Sequence, residues 1–232
     1  MVGRWKRGVW LMATVGTTAY FDESSVDQSH SVCVVAGFVA STDMWIGFEK
    51  LWKRALAKRG KLTWKKYVQA HPARFAEIAH GHTLKAIQFH CSHTLFRVMH
   101  DKHVRPIAKE NRTNLVNLMD SPYAHCSAAC CDILDNWARD KKLRRSIVPI
   151  KVIFDKGASH QVQLERGYKA YYKQKKGTYL IGEPIFESDD CLVPLQASHL
   201  LAWLLSKHYN NRTPENEALE IICKNNHMVM NK

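Results

Sequence analysis

Two short segments of this chain read alike, Ala19-Tyr20-Phe21-Asp22 and Val152-Ile153-Phe154-Asp155. Each is a hydrophobic run of the β-branched and aromatic kind that suits a pleated backbone, and each stops at an aspartate. If the two strands are neighbours, their carboxylates fall at adjoining strand ends, where open α/β sheets place ligands. Paired carboxylates repel unless something cationic lies between them, and a divalent metal with oxygen ligands meets that need. An aspartate also closes a strand simply because it suits a turn. The rest of the chain has to decide.

Residues 14–21 and 31–40 read as the arms of a hairpin around a polar stretch. Thr42 and Asp43 then offer N-cap oxygens to a helix reaching about residue 59, with Trp45, Phe48, Trp52 and Leu56 at helical spacing. The middle is less regular: 61–82 is mixed, 84–91 fits a strand, and 106–140 is largely helical with a break near Ser121-Pro122. A strand over 147–154 follows, then a helix over 161–176, a short strand over 183–187 and a last helix over 194–209, with Pro194 in its first turn. Alternating strands and helices predict an α/β fold with a mixed sheet flanked by helices. The reading is one domain over 1–232, with a helical middle insertion at about 61–140 and a polar tail at about 210–232.

The last helix is the most informative. Residues 195–205 are apolar almost all round, which predicts burial on most sides. Within it Gln196 and His199 share a face. Buried polar groups need partners, and either a metal cluster or the local backbone could supply them. Asp189 and Asp190 lie just before this helix.

Charge narrows the partners. A net charge of +13 favours polyanions, nucleic acid ahead of an anionic membrane surface. On the helix over 161–176, Arg166, Lys169, Lys173 and Lys176 fall on one side, as a stripe that tracks a phosphate backbone or as a solvated face. No run of 18 apolar residues occurs, so no transmembrane helix is predicted. Seven cysteines without a paired spacing suggest reduced thiols in a cytoplasmic protein. His80-x-His82 and His90-Cys91-x-His93 look like zinc-site fragments but lack the paired Cys-x-x-Cys spacing.

Phe21-Asp22-Glu23-Ser24, Ala36-Gly37-Phe38-Val39 with Trp45, and the run Pro194-Leu195-Gln196-Ala197-Ser198-His199-Leu200-Leu201-Ala202-Trp203 together resemble the bacterial and phage family called domain of unknown function 3800. The resemblance spans the whole chain but rests on these three short motifs. It implies a ribonuclease H-like fold, with metal-binding acids on the first strand, the fourth strand and a late helix. His199 stands where that family's Gln-x-x-Asp helix carries an acid. Neutral imidazole ligates divalent metals but adds no negative charge, and it prefers softer ions than Mg²⁺.

These observations lead to a metal-dependent nuclease using Mg²⁺ or Mn²⁺. Asp22, Glu23, Asp155 and His199 would be catalytic, with Asp22, Asp155 and His199 as metal ligands. Gln196, Asp189 and Asp190 would support the ligands, and Arg166, Lys169, Lys173 and Lys176 would hold nucleic acid. The alternative is a nucleic-acid-binding or interaction module that kept the fold and lost the last acid. Adjacent strand residues point to opposite faces, so Asp22 and Glu23 share a site only if the backbone breaks between them.

Overall fold

The computed structural model describes residues 16–24, 30–81, 84–99, 121–143, 149–157, 161–174, 177–211 and 217–224, and the statements below concern these. The two Phe-Asp segments form strands β1 (Thr17–Ser24) and β4 (Ile150–Asp155), which lie parallel with Phe21 opposite Phe154. On the other side of β1, β2 (Val32–Ser41) runs antiparallel, so the expected hairpin is present. β3 (Lys85–Ser92) extends the sheet antiparallel to β2, and β5 (Ile185–Glu187) extends it parallel to β4. The order is β3-β2-β1-β4-β5. This mixed five-stranded sheet, flanked by helices on both faces, is the α/β architecture expected from the sequence.

Helices close both faces. On one side stand α1 (Thr42–Leu56), α2 (Trp64–Ala70), α3 (Pro72–Gly81), α7 (Val193–Asn211) and α8 (Glu217–Cys223). On the other stand α5 (Pro122–Asp140) and α6 (Gln161–Gln174). A short α4 (His93–Met99) follows β3 directly. Strand alternation feeds both cores. From β2, Val34, Ala36, Phe38 and Ala40 face α7, while Cys33, Val35 and Val39 face α5. A strand covered on both faces reads as a continuous apolar run rather than an alternating one, as β2 does. Phe21, Phe154 and Phe186 form a ladder across three strands, with centroid spacings of 5.5 and 6.0 Å. Each such contact contributes ~0.5–1.5 kcal/mol beyond its buried area.

One detail differs from the sequence reading, and two fill it in. β1 does not stop at Asp22 but continues to Ser24, because β2 still pairs with it through Val34 after the β4 pairing ends at Phe21. Within the stretch 61–140, the strand expected over 84–91 is β3, which joins the main sheet beside the helices. The polar tail carries α8, whose Ala218, Leu219 and Ile222 are buried in the α7-side core with Phe75, Ala76 and Ala79 of α3. Among the described residues no helix is long and apolar enough to cross a membrane. All seven cysteines are free, and Cys126, Cys130 and Cys131 are buried in the α5-side core.

Gly37 sets the approach of β2 to β1. A Cβ there would collide with the Tyr20 carbonyl oxygen and press on the Phe21 ring. That carbonyl accepts a hydrogen bond from Ser198 Oγ of α7 at 2.8 Å. The missing side chain at position 37 therefore lets β2 lie close against β1 at the Tyr20 peptide, two residues before Asp22.

Candidate metal centre

Register places the first two acids. Ala19, Phe21, Val152 and Phe154 all belong to the α5-side core, so alternation turns Asp22 and Asp155 toward the opposite face, under α7. Asp22 is buried, and its Oδ1 accepts from the Glu23 backbone N–H at 2.7 Å. Its Oδ2 lies 2.8 Å from His199 Nδ1 on α7. His199 is partly exposed, and the Trp64 ring meets it edge-on with centroids 5.4 Å apart.

The third acid comes from a turn. After β5 the chain folds back at Ser188, whose carbonyl accepts from the N–H groups of Cys191 and Leu192. Asp189 sits in this turn with both backbone groups held. Its N–H donates to Asp155 Oδ1 at 2.9 Å, and its carbonyl accepts from Gln196 Nε2 at 3.0 Å. Gln196 in turn accepts from the buried Trp52 indole at 2.8 Å. The side chain of Asp189 is thereby aimed inward, with Oδ2 at 2.9 Å from Lys65 Nζ and 4.0 Å from His199 Nδ1.

Asp22, Asp189 and His199 each offer one donor atom within 4.8 Å of the others. This group holds Asp22 and His199 of the expected ligands together with Asp189, and Asp155 lies beside it. One Asp155 oxygen accepts the Asp189 N–H and so ties the two acids together. Asp155 stays close enough to feel its neighbours. Burial first, then the charges of Asp22 and Asp189, push it up to about 6 from 3.8. Glu23 is held well above the usual carboxylate range, by burial first and then by Asp22 and Asp155. Its Oε2 is buried with no hydrogen-bond partner among the described residues. β1 does not break between Asp22 and Glu23, and the phenol of Tyr123 on α5 is pushed up by burial and then by Glu23. Glu23 thus lies on the α5 side of the same strand, near the acids but not in the group of three.

The other expected residues scatter. Asp190 is exposed, and its Oδ1 accepts from Trp64 Nε1 at 2.8 Å, which fixes the indole beside His199. Arg166 is exposed on α6, whereas Lys169 is paired with Glu165 at 2.9 Å and Glu183 at 3.1 Å. The side chain of Lys173 and the whole of Lys176 lie outside the described residues, so the stripe is visible only in its first half. His80, His90 and His93 join no metal-ligand group among the described residues, and His82 lies outside them. The His90 ring is stacked on Tyr209 at 3.9 Å. Sequence reasoning missed Lys65 and Trp64. Their segment has no clear period, and the acids they meet lie more than a hundred residues away.

No family model and no curated protein matches the chain. Among solved structures, it is similar to ribonuclease HII from Archaeoglobus fulgidus, solved in a complex with PCNA. The TM-score is 0.44 and the identity 15%, over 90% of this chain and 87% of that chain.

Proposed function

We propose that this chain is a metal-dependent nuclease acting on phosphodiesters of DNA or RNA, with its centre at Asp22, Asp189 and His199. The observation that carries the reading is their convergence, with donor atoms within 4.8 Å of one another at one end of the sheet. The donor set fits a divalent ion. Two carboxylate oxygens suit a hard cation, and one imidazole nitrogen tilts the preference from Mg²⁺ toward Mn²⁺. The surroundings fit as well, since Asp155 and Glu23 add acids whose mutual repulsion a dication relieves.

When bound there, a divalent ion supplies charge stabilisation for the phosphoryl group and helps to activate water. The chain's own part is positioning. Asp155 and Gln196 clamp the backbone of Asp189 from both sides, and Trp52 fixes Gln196, so a ligand carried on a turn is held as firmly as one on a strand. Trp64, fixed by Asp190, packs against the His199 ring and limits its rotation. Hydrolysis joins a water oxygen to phosphorus and breaks the bond to the leaving sugar oxygen, which gains a proton. The likeness of the three motifs to the domain of unknown function 3800 family agrees with this reading, and the excess positive charge suits a nucleic-acid substrate.

Binding without cleavage is the competing reading, favoured by the imidazole at position 199 and by the ammonium already paired with Asp189. Incubation with single- and double-stranded DNA and RNA in Mn²⁺ and Mg²⁺ separates the two. Cleavage that Asp22→Asn abolishes supports the nuclease. Salt-sensitive binding without any cleavage supports the module.

A further inference from the structure

Lys65 stands in the second position of α2, an element that carries none of the acids. Its ammonium lies 2.9 Å from Asp189 Oδ2, the same oxygen that lies 4.0 Å from His199 Nδ1. The two partners are unequal. The Asp189 side chain is 7% exposed and that of Lys65 is 46% exposed, so the lysine reaches in from solvent on a flexible arm. Nearby, its ammonium stands over the Trp64 ring, 5.3 Å from the centroid.

An ammonium and a divalent ion cannot both hold one carboxylate oxygen at full strength, because they repel each other. Asp189 is fixed by its backbone, whereas Lys65 is anchored only at the far end of a long side chain. The lysine is therefore the group that moves. The anion a nuclease site brings next to that position is the phosphate of its substrate.

Resting on the metal-centre reading above, we propose that Lys65 is a catalytic residue that holds Asp189 while the centre is empty and binds a non-bridging oxygen of the scissile phosphate when the centre is loaded. In the reaction, a water oxygen bonds to phosphorus and the bond to the leaving sugar oxygen breaks with its electron pair on that oxygen. The attacking water gives up one proton to solvent, and the leaving oxygen takes one up from solvent, so the protons balance. Lys65 remains protonated throughout and transfers none, so its role is charge stabilisation of the phosphoryl oxygens. An arginine in its place keeps the charge, while a methionine keeps the stem and removes it.

The test measures Mn²⁺ binding by titration calorimetry and cleavage of a mixed single-stranded oligonucleotide pool, for the parent protein, Lys65→Met and Lys65→Arg. Lys65→Met is expected to bind Mn²⁺ about tenfold more tightly, since a competing cation is gone. It is also expected to cleave at least tenfold more slowly, with the loss in kcat, while Lys65→Arg keeps most of the rate. Mn²⁺ binding in Lys65→Met alone also supports the proposal. Equal Mn²⁺ affinity in parent and Lys65→Met overturns it and leaves the metal centre standing. Unchanged cleavage in Lys65→Met overturns the phosphate contact. Absence of Mn²⁺ binding in the parent and in Lys65→Met alike removes the centre and this inference together.

Discussion

Asp135 and Asp22 are both buried in this fold, and their company differs. Asp135, within α5, is surrounded by donors. Its Oδ1 accepts from the Tyr179 N–H at 2.7 Å and the Thr178 hydroxyl at 2.9 Å, and its Oδ2 pairs with Arg139 at 3.0 Å. Asp22 accepts from one backbone N–H and faces one imidazole, and its other neighbours, Glu23, Asp155 and Asp189, are acids. Burial of a carboxylate is common to both. One of them ties the 178–179 segment to a helix, and the other sits in a cluster of acids met by the Lys65 ammonium. Concentrated like charge, rather than burial, marks the functional candidate.

The largest expected effect tests the first half of that contrast. Asp135→Ala takes a buried carboxylate acceptor from the Tyr179 N–H and the Thr178 hydroxyl and releases Arg139, a loss of about 2–4 kcal/mol in urea unfolding. Asp22→Asn in metal-free protein keeps its shape and relieves repulsion, so its midpoint should hold or rise. If both substitutions destabilise to the same degree, the two sites are alike and the contrast fails.

Metal addition should sharpen the difference. At a Mn²⁺ concentration a hundred times its dissociation constant, stabilisation is about 2.7 kcal/mol, or roughly 5–10 °C in Tm for a chain of this size. Asp22→Asn should lose most of that shift. Arg139→Ala, at the donor-rich site, should keep it in full, as thermal scans with and without Mn²⁺ would show.

A pH series comes next in size. Asp155 binds its proton more tightly in the folded chain, at about 6 against 3.8. A raised acid contributes stability that is fully present below about pH 4 and lost as the pH rises through about 6. Metal-free protein should therefore melt a few degrees lower at pH 7 than its other groups alone would dictate. Asp155→Asn, which can still accept from the Asp189 N–H, should flatten that slope. A slope unchanged in Asp155→Asn would assign the pH dependence to another group.

The smallest effect is expected at the rim. Asp190→Ala removes the acceptor of the Trp64 indole at an exposed position, and should cost no more than about 0.5–1 kcal/mol in stability. Its consequence for activity should be larger than for stability, since Trp64 steadies His199. Paired measurements of Tm and cleavage rate would show the split.

Much of this arrangement was legible from local pattern. The two Phe-Asp strands announced themselves because a parallel neighbour with the same alternation must put both phenylalanines on one face and both aspartates on the other. Gln196 and His199 stood out as polar residues on a helix otherwise apolar all round. What pattern could not give was the arrival of Asp189 beside Asp22 and His199. That depends on how a turn closes after a three-residue strand, and no periodicity encodes such closure. Lys65 was hidden for a related reason. Its importance comes from a contact across 124 positions, and its segment reads as an ordinary charged surface.

The clamp on Asp189 has a consequence for how this site could change over time. Asp155 and Gln196 grip the peptide groups of residue 189 and not its side chain. Any residue can supply an N–H and a carbonyl there, proline excepted for the former. Position 189 is thus a socket whose walls outlast its occupant: asparagine, glutamate or histidine could be tried in it without dismantling the turn. Insertions or deletions between Ser188 and Leu192 would lose the grip at once. Lineages of this fold should therefore vary in the chemistry at 189 while keeping the length of the turn, and an engineer seeking a different metal should begin at that one side chain.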